Sequence, residues 1–581
     1  MKAKQRFLIS FILIISVLLT GCSGLEGLFG TGLVPYAQMK YTRPDMVRFA
    51  SVLEESCTAA LEEQDIRKLE RAILAFYDEY DAFYTNMNLS FISYSRDLTD
   101  IYWEAEYSYC ASYSATADAG LDQLYRALAK SPLRETLEGE AYFGTDYFTA
   151  FEGEGIYDDY LTSLLNQEAQ LCNEYQTIYG SSAASEYYSD EYFTQYGSQM
   201  AEVFLELVKL RQQIASYVGY ESYVQFAYDF YYYRDYSPQQ TISYLADIRA
   251  ELVPLYRTMS ATWEETPAVC TEEELFSYVE AMAKNMGGTV LKAFSAMSTA
   301  KVYDISYGVN KYGTSFEVYL SAYQTPYIFL CPTGTEYDKL AFAHEFGHFC
   351  SDYVVPGGSM YGADTAEIIS QAMEYLSLHY APEGEDLLSL KMATCLRTYV
   401  EQAALASFEH QVYELTGADL TLEGIQALYE EVCIAYGLDV PGWDSRDYVC
   451  IPHFYESPMY IMSYVVSNDV ALQIYEMELL EQGSGLACLE KSFLSAQPDF
   501  LSFVEAVGLE TPFATGRLMR VRQILETIYH DDKALICNAN KGFVIDFVLF
   551  CAGITHGIFV LPIPRITNHI HQTLFGFPTQ Q

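Results

Sequence analysis

The sequence predicts a mainly α-helical protein with one small β-sheet. Residues 45 to 300 repeat apolar side chains at steps of three and four, as in MVRFASVLEESCTAALEEQDIRKLERAILAFYDEYDAFY. The period changes in SFEVYLSAYQTPYIFLCP, whose Val, Tyr, Ile and Phe content predicts one or two strands ending at Pro332. Helical spacing resumes from about Tyr337 to about Tyr529. We therefore expect the sheet beside the helix that contains LAFAHEFGHFC, residues 340 to 350.

The first residues resemble a bacterial lipoprotein signal peptide. MKAKQRFLISFILIISVLLTGC has a basic start, an apolar stretch from Phe7 to Leu19 and small residues directly before Cys22. The stretch is too short for an ordinary spanning helix, so residues 1–21 are assigned to a cleaved signal. Cys22 is then the lipidated first residue of a bacterial cell-membrane lipoprotein, and residues 22–40 form a Gly-rich tether. A plain secretory signal or an anchor helix is the alternative, and each places the body outside the cytoplasm.

Composition limits the class of protein. The 581 residues are 50% apolar, enough for a large buried core. Lys and Arg number 33 against 78 Asp and Glu, and the net charge of −45 would repel the phosphates of nucleic acid. The cysteines after Cys22 are scattered without a C-x-x-C pair or dense cluster. This pattern argues against a disulfide-built scaffold and against a cysteine zinc knuckle.

The tail, residues 531–581, departs from the helical body. Phe543 to Leu561 is nearly all apolar and close to the length of a membrane-spanning helix. Asp546 and His556 lie inside this run and would be costly in a bilayer. We expect an atypical apolar extension that packs on the body or does not order, with a spanning helix as the alternative.

The segment HEFGH carries the strongest chemical signal. On a helix, His344 and His348 lie on one face, so their imidazole nitrogens can bind a single ion. Glu345 points about 100° away from the first histidine, near enough to hold a water beside that ion. This arrangement is typical of metal-assisted peptide hydrolysis, in which zinc activates the water and the glutamate takes its proton. The alternative is a helix with one exposed and one packed histidine.

A catalytic zinc of this kind needs a third protein ligand. The segment GGSMYGADTAEIISQAMEYL offers Asp364, Glu367 and Glu374. Its Gly-rich turn lets the chain double back, and we choose Glu367 as the ligand of one Zn²⁺ per chain. Asp364 and Glu374 are then candidates to accept a hydrogen bond from the far nitrogen of a ligand histidine. An N-cap aspartate and a solvated helix glutamate are the alternatives.

These segments together resemble a known family. TPYIFLCPTGTEYDKLAFAHEFGHF followed by TAEIISQAMEYL is similar to the thimet oligopeptidase and oligoendopeptidase F family of zinc metallopeptidases. The resemblance is close over about 325 to 376 and 450 to 470, and looser across 45 to 530. It implies the zinc ligands and the general base already singled out: His344, His348, Glu367 and Glu345. The chain departs from the family at Ser351, where members often carry another histidine, and in its shorter ligand spacing.

The resemblance also extends to a later segment, IPHFYESPMYIMSYVVS. His453 matches the family's substrate-binding histidine, and Tyr460 and Tyr464 are the best matches to tyrosines that stabilise the oxyanion. The Ser-Pro pair at 457–458 is typical of an N-cap and first helical residue, which predicts a helix carrying both tyrosines. Tyrosine numbers 53 in this chain, so packing is an alternative role for each. Tyr455 is the further candidate.

The resemblance implies a large helical ellipsoid with a deep substrate channel and a small β-sheet beside the zinc-binding helix. The peptidase domain is placed at residues 41–530, with its catalytic core at about 300 to 530. We expect a monomeric, lipid-anchored, extracytoplasmic zinc endopeptidase that cuts oligopeptides and binds no nucleic acid. The alternatives are a zinc exopeptidase and a non-catalytic peptide-binding lipoprotein.

Overall fold

The structure, a computed structural model, describes residues 32 to 536 with short gaps. The gaps are 140–141, 154, 156, 180–189, 261–269, 309, 357–361, 383, 385–386, 441–442, 496 and 498. The predicted signal peptide, Cys22 and the apolar run from Phe543 to Leu561 lie outside the described residues.

The N-terminal half is helical, as the three- and four-residue spacing predicts. Its helices within the described ranges are α1 (Met46–Glu62), α2 (Ile66–Arg96), α3 (Ile101–Ala129), α4 (Arg134–Leu137), α5 (Asp159–Tyr179), α6 (Asp190–Tyr192), α7 (Ser198–Tyr217), α8 (Tyr223–Phe230), α9 (Pro238–Glu251), α10 (Val253–Ser260), α11 (Glu272–Met286) and α12 (Gly288–Ala300). Local chemistry sets several helix starts. The Asp45 carboxylate accepts from the backbone amides of Val47 and Arg48 in the first turn of α1, and Thr271 with Glu274 forms a capping box on α11.

A three-stranded sheet separates the two helical halves of the chain. Its strands are β1 (Tyr303–Asp304), β2 (Phe316–Leu320) and β3 (Thr325–Phe329). Central β3 pairs parallel with β1 and antiparallel with β2. Every residue of β2 and β3 is buried, and β3 packs against the helix that follows it. The predicted strand region is confirmed, although its last strand ends at Phe329, before Pro332.

The C-terminal half surrounds the HEFGH helix. Its helices in the described part of the chain are α13 (Tyr337–Val354), α14 (Ala363–Tyr380), α15 (Leu388–Arg397), α16 (Ala403–Val412), α17 (Leu422–Tyr436), α18 (Pro452–Glu456), α19 (Ile461–Leu480), α20 (Ser484–Phe493), α21 (Phe500–Val507) and α22 (Arg517–Ile536). Helix α14 packs against both α13 and α19. Helix α19 is buried on all sides from Ile461 to Tyr475, as expected of a central core helix. Among the described helices, none combines the length and apolar character needed to cross a membrane.

The folded body begins earlier than the predicted tether boundary. The Val34 backbone N–H donates to Thr325 Oγ1 (3.2 Å), and the Tyr36 ring lies 4.6 Å from the ring of Tyr327. The backbone N–H of Lys40 donates to the Tyr323 hydroxyl (3.1 Å). Residues 34–40 therefore pack on the sheet, because their apolar and aromatic side chains cover β3 and the turn before it.

Candidate metal centre and active site

A tight turn fixes the start of α13. Asp338, in the first turn of the helix, accepts from three successive backbone amides, those of Thr333 (2.8 Å), Gly334 (2.7 Å) and Thr335 (3.1 Å). Gly334 has φ +84°, which a side chain would disfavour. The Asp338 side chain thus holds the Gly-Thr turn between β3 and α13. This fixes the start of α13 and, with it, the position of the two histidines.

Gly347 lets α13 approach α14 closely. A Cβ at this position would lie 2.7 Å from Ser370 Cα, 3.1 Å from Met373 Cβ and 3.2 Å from Ile369 O. Two of these are main-chain atoms, so no rotamer change could make room. The glycine between the two histidines therefore brings the backbone of α14, and Glu367 with it, against the histidine face of α13.

The predicted ligands converge on one point. Their donor atoms all lie within 4.8 Å of one another, and His344, His348 and Glu367 are all buried. The two Nε2 atoms are 3.3 Å apart, and Glu367 Oε2 lies 3.3 Å from His344 Nε2. Ligands of a tetrahedral zinc, about 2.1 Å from the ion, are separated by about 3.4 Å. The donor set and its spacing therefore fit a zinc ion, with three protein ligands and one position left for water or substrate.

Glu345 lies beside this centre without joining it. Its side chain is 1% exposed, and Oε2 is buried without a hydrogen-bond partner among the described atoms. Burial, together with the carboxylates of Glu367 and Glu374 and against the attraction of His344, raises the pKa of Glu345 to about 8. A buried carboxyl with an unpaired oxygen beside a metal site is suited to accept a proton from a water there.

His453, Tyr460 and Tyr464 lie together next to the centre, beside Glu367. The Tyr460 hydroxyl donates to Glu367 Oε1 at 2.7 Å, and His453 Nε2 lies 3.1 Å from the Tyr464 hydroxyl. Ring centroids of the two tyrosines are 5.3 Å apart. The structure thus brings together every residue that the family resemblance implied for the site.

The Ser-Pro pair at 457–458 does not begin a helix, contrary to the prediction. The backbone N–H of Ser457 donates to His453 O and ends α18, and Tyr460 is the N-cap of α19. Between them, Met459 adopts φ +68°. The hydrogen bonds that close α18 outweigh the local capping preference, so a left-handed turn places Tyr460 at the site.

Comparison with known proteins bears on the fold that carries this site. Residues 36–154 match the Peptidase M3 N-terminal domain. The whole fold is similar to a protein named oligoendopeptidase F, with a TM-score of 0.77 at 20% identity, covering 86% of this chain and 100% of the other. The chain carries a Peptidase M3 N-terminal domain on a fold similar to that of oligoendopeptidase F. The resemblance predicted from the sequence, and the expectation of a metallopeptidase, are confirmed.

Two further solved structures share this fold. An oligoendopeptidase F from Bacillus anthracis superposes with a TM-score of 0.73 at 20% identity, over 86% of this chain and 99% of the other. PZ peptidase A, solved with an inhibitor, superposes with a TM-score of 0.75 at 18% identity, over 85% of this chain and 99% of the other. Among curated proteins, none matches the sequence.

Glu374 orients the predicted ligand histidine His344, as predicted. His344 Nδ1 donates to Glu374 Oε1 at 2.7 Å, which leaves Nε2 facing Glu367. The other oxygen of Glu374 accepts from Lys391 Nζ at 2.7 Å. Against the effect of burial, Lys391 and His344 hold the pKa of Glu374 below its usual value. Lys391 was not predicted, because nothing in its local sequence distinguishes it from a surface lysine.

Asp364 has a different role from the one predicted. Its carboxylate accepts from Arg234 (Nη2 to Oδ1, 3.1 Å), from the Tyr236 hydroxyl (2.6 Å) and from Ser463 Oγ (2.5 Å). These contacts tie α14 to α19 and to the segment after α8. A buried arginine outcompetes a histidine as the partner, and the sequence gives no signal for a contact between residues 130 positions apart.

Tyr455 belongs to the core and not to the active site. Its ring stacks on Tyr175 with centroids 3.6 Å apart, and its hydroxyl donates to Met200 O at 3.1 Å. It faces away because it lies two positions beyond His453 on the short helix α18, on the side that packs against α5 and α7.

Proposed function

We propose that the protein is a zinc-dependent endopeptidase that hydrolyses internal bonds of short unfolded peptides. One observation carries the proposal, namely the buried set of His344, His348 and Glu367 with Glu345 beside it. When bound there, zinc supplies a Lewis acid that polarises the scissile carbonyl and lowers the pKa of a water. Similarity to proteins named oligoendopeptidases favours internal bonds of oligopeptides.

The residues of the chain then have distinct roles. Glu345 accepts a proton from the attacking water and returns it to the leaving amine, so that addition of water to the carbonyl is followed by cleavage of the C–N bond. Tyr460 and Tyr464 supply phenol donors for the oxyanion, where charge appears only in the transition state. His453 offers Nε2 to the substrate backbone as a hydrogen-bond donor or acceptor and so positions the peptide.

Blocked peptides test the endopeptidase assignment. The full chain is incubated with an N-acetylated, C-amidated peptide of about ten residues, and the products are identified by mass spectrometry. Cleavage at an internal bond is the expected result. Activity restricted to peptides with a free terminus would replace this proposal with an exopeptidase.

A substitution of the general base tests the mechanism. Glu345→Gln should retain one zinc per chain but lose activity by at least about 10³-fold, because the amide cannot accept the proton. Glu401 is a matched control, since it is also buried (2% exposed) and accepts from the Tyr256 hydroxyl at 2.7 Å. Glu401→Gln should leave activity unchanged. Absence of zinc and of hydrolysis in both the parent and Glu345→Gln would support a peptide-binding protein instead. A Glu345→Gln variant with full hydrolytic activity would refute the role of Glu345 as the general base.

We also propose that the enzyme is a lipoprotein of the bacterial cell membrane, anchored through Cys22. The support is the signal-like sequence before Cys22. In bacteria grown with a labelled fatty acid, the parent should carry label in the membrane fraction and Cys22→Ser should not. Label retained by the serine variant would refute the anchor.

A further inference from the structure

Arg234 is a buried cation enclosed by tyrosines. Its side chain is 0% exposed. Its guanidinium carbon lies 4.4 Å from the ring centroid of Tyr228, 4.5 Å from that of Tyr232 and 5.7 Å from that of Tyr236. Aromatic faces attract such a cation, but a buried charge also requires directed hydrogen-bond acceptors. The position of those acceptors therefore shows what the residue is for.

The acceptors of Arg234 come from three separate elements. Asp364 in α14 takes a forked interaction, with Nε to Oδ2 at 3.1 Å and Nη2 to Oδ1 at 3.1 Å. Nη2 also donates to Met459 O (3.0 Å) in the turn before α19 and to Ser463 Oγ (3.1 Å) within α19. One side chain thus joins the helix that carries Glu367 to the turn that carries Tyr460.

That turn needs to be held. Met459 has φ +68°, a conformation that costs a non-glycine residue on the order of 1 kcal/mol or more. Its carbonyl accepts from Arg234, and its N–H donates to Glu409 Oε1 at 2.7 Å. The preceding carbonyl, of Pro458, accepts from the Tyr232 hydroxyl at 2.7 Å. Buried side chains therefore hold consecutive peptide groups of a strained turn.

The residue immediately after the strained turn is Tyr460, whose hydroxyl donates to Glu367 at 2.7 Å. We propose that Arg234 is a positioning residue: by binding Asp364 and the Met459 carbonyl together, it fixes the Tyr460 hydroxyl beside Glu367. The O–H that Glu367 accepts in this structure is then placed to turn to the oxyanion when substrate is bound. This inference rests on the proposed function. It assigns to Arg234 an effect that is exerted through Tyr460 and not through contact with substrate.

A double-mutant cycle tests the inference. Arg234→Lys keeps the charge but loses the forked geometry, so it cannot bind Asp364 and the Met459 carbonyl in the same way. We expect kcat to fall about 10- to 100-fold, with KM within about twofold and one zinc per chain retained. Tyr460→Phe should lower kcat at least as much. The double variant should then be no slower than Tyr460→Phe alone, because the donor that Arg234 positions is already absent.

A second substitution and a control separate positioning from general stability. Asp364→Asn removes the carboxylate that accepts the forked interaction from Arg234, and it should give the same non-additive loss with Tyr460→Phe. Arg517 is the control, since it is also buried (4% exposed) and donates to Asp469 in α19 at 2.8 Å, without contacting the turn. Arg517→Lys should lower the melting temperature about as much as Arg234→Lys does, but it should leave kcat and KM unchanged.

Different results would refute the role of Arg234 and the proposed peptidase mechanism. Losses from Arg234→Lys and Tyr460→Phe that multiply in the double variant would overturn the inference, as would loss of zinc from Arg234→Lys or an equal fall of kcat in Arg517→Lys. A Tyr460→Phe variant with full activity would overturn the role given to Tyr460, and with it the inference. An active Glu345→Gln would instead refute the proposed mechanism.

Discussion

Substitution of Gly347 by alanine should separate the two helices that carry the metal ligands. The added Cβ would lie 2.7 Å from Ser370 Cα, whereas ordinary contact begins at 3.4 Å. The backbone of α14 must therefore retreat by about 0.7 Å. Metal–ligand distances tolerate only about 0.2 Å, and Glu367 lies one turn before Ser370 on the same helix. The ligands on α13 and α14 would no longer reach one ion together.

The effect on zinc affinity should exceed the effect on folding. Overpacking costs about 1 to 3 kcal/mol, but alanine regains about 1 kcal/mol of helix propensity, so the net loss of stability should be about 0 to 2 kcal/mol. Zinc affinity, measured by competition with a chromophoric chelator, should fall about 10- to 100-fold. Urea unfolding of the metal-free protein measures the stability change separately.

Gly120 provides the matched control for this experiment. It lies within α3, and a Cβ there would meet only side-chain atoms, Leu53 Cδ2 at 3.1 Å and Phe49 Cε1 at 3.2 Å. Those side chains can move, so Gly120→Ala should bind zinc as the parent does. If Gly347→Ala kept the parent affinity for zinc, the close approach of α13 and α14 would not be what brings the ligands together.

Three further predictions concern single side chains. Lys391→Met keeps an aliphatic stem over Tyr375 but removes the cation that stabilises ionised Glu374, so zinc affinity in chelator competition should fall about tenfold. Burial raises the pKa of Asp118 from 3.8 to about 7, so the folded state holds a proton that the unfolded state releases, and stability should fall as pH rises from about 4 to 7. Asp118→Asn should remove this loss, a gain of up to about 4 kcal/mol above pH 7, measured by urea unfolding across that range. Tyr455→Phe should cost about 1 kcal/mol of stability and leave kcat/KM unchanged in peptide-cleavage assays.

Each of these has its own contrary result. Unchanged zinc affinity in Lys391→Met would show that His344 is oriented without the lysine. A stability difference between parent and Asp118→Asn that stayed constant from pH 4 to 8 would mean that this carboxyl does not titrate in that window. A reduced kcat in Tyr455→Phe would show that this tyrosine acts in the active site. Tyr464→Phe, which should lower kcat, is the comparison variant.

The parts of the site that sequence could predict are those that depend on short spacing. The i, i+4 histidines, the change of period before α13 and the return of a second helix all leave local patterns. Those patterns offered Asp364, Glu367 and Glu374 as third ligand, and the family resemblance supported the choice of Glu367. The fold class follows for the same reason, because helical periodicity is repeated many times along the chain. These features would be visible in any chain that shared the pattern.

The parts that sequence could not predict depend on distant contacts. Asp364 looked like a partner for a histidine because Arg234, 130 positions away, gives no local signal. The Ser-Pro pair suggested a helix start. A left-handed turn forms there instead, stabilised by the Tyr232 hydroxyl, which donates to Pro458 O, and by Glu409, which accepts from the Met459 N–H. Long-range packing decides between local alternatives of similar energy, and this is where the predictions failed.

The packing of residues 34 to 40 on the sheet limits how far the enzyme could move from a membrane. With Cys22 lipidated as proposed, the linker from Cys22 to Val34 is twelve residues long and can span at most about 40 Å. Such an enzyme would sample only a thin layer of the surrounding medium. Its encounters would be with peptides that emerge from, or gather at, the cell surface, and the effective concentration of those peptides would set its turnover more than their abundance in bulk.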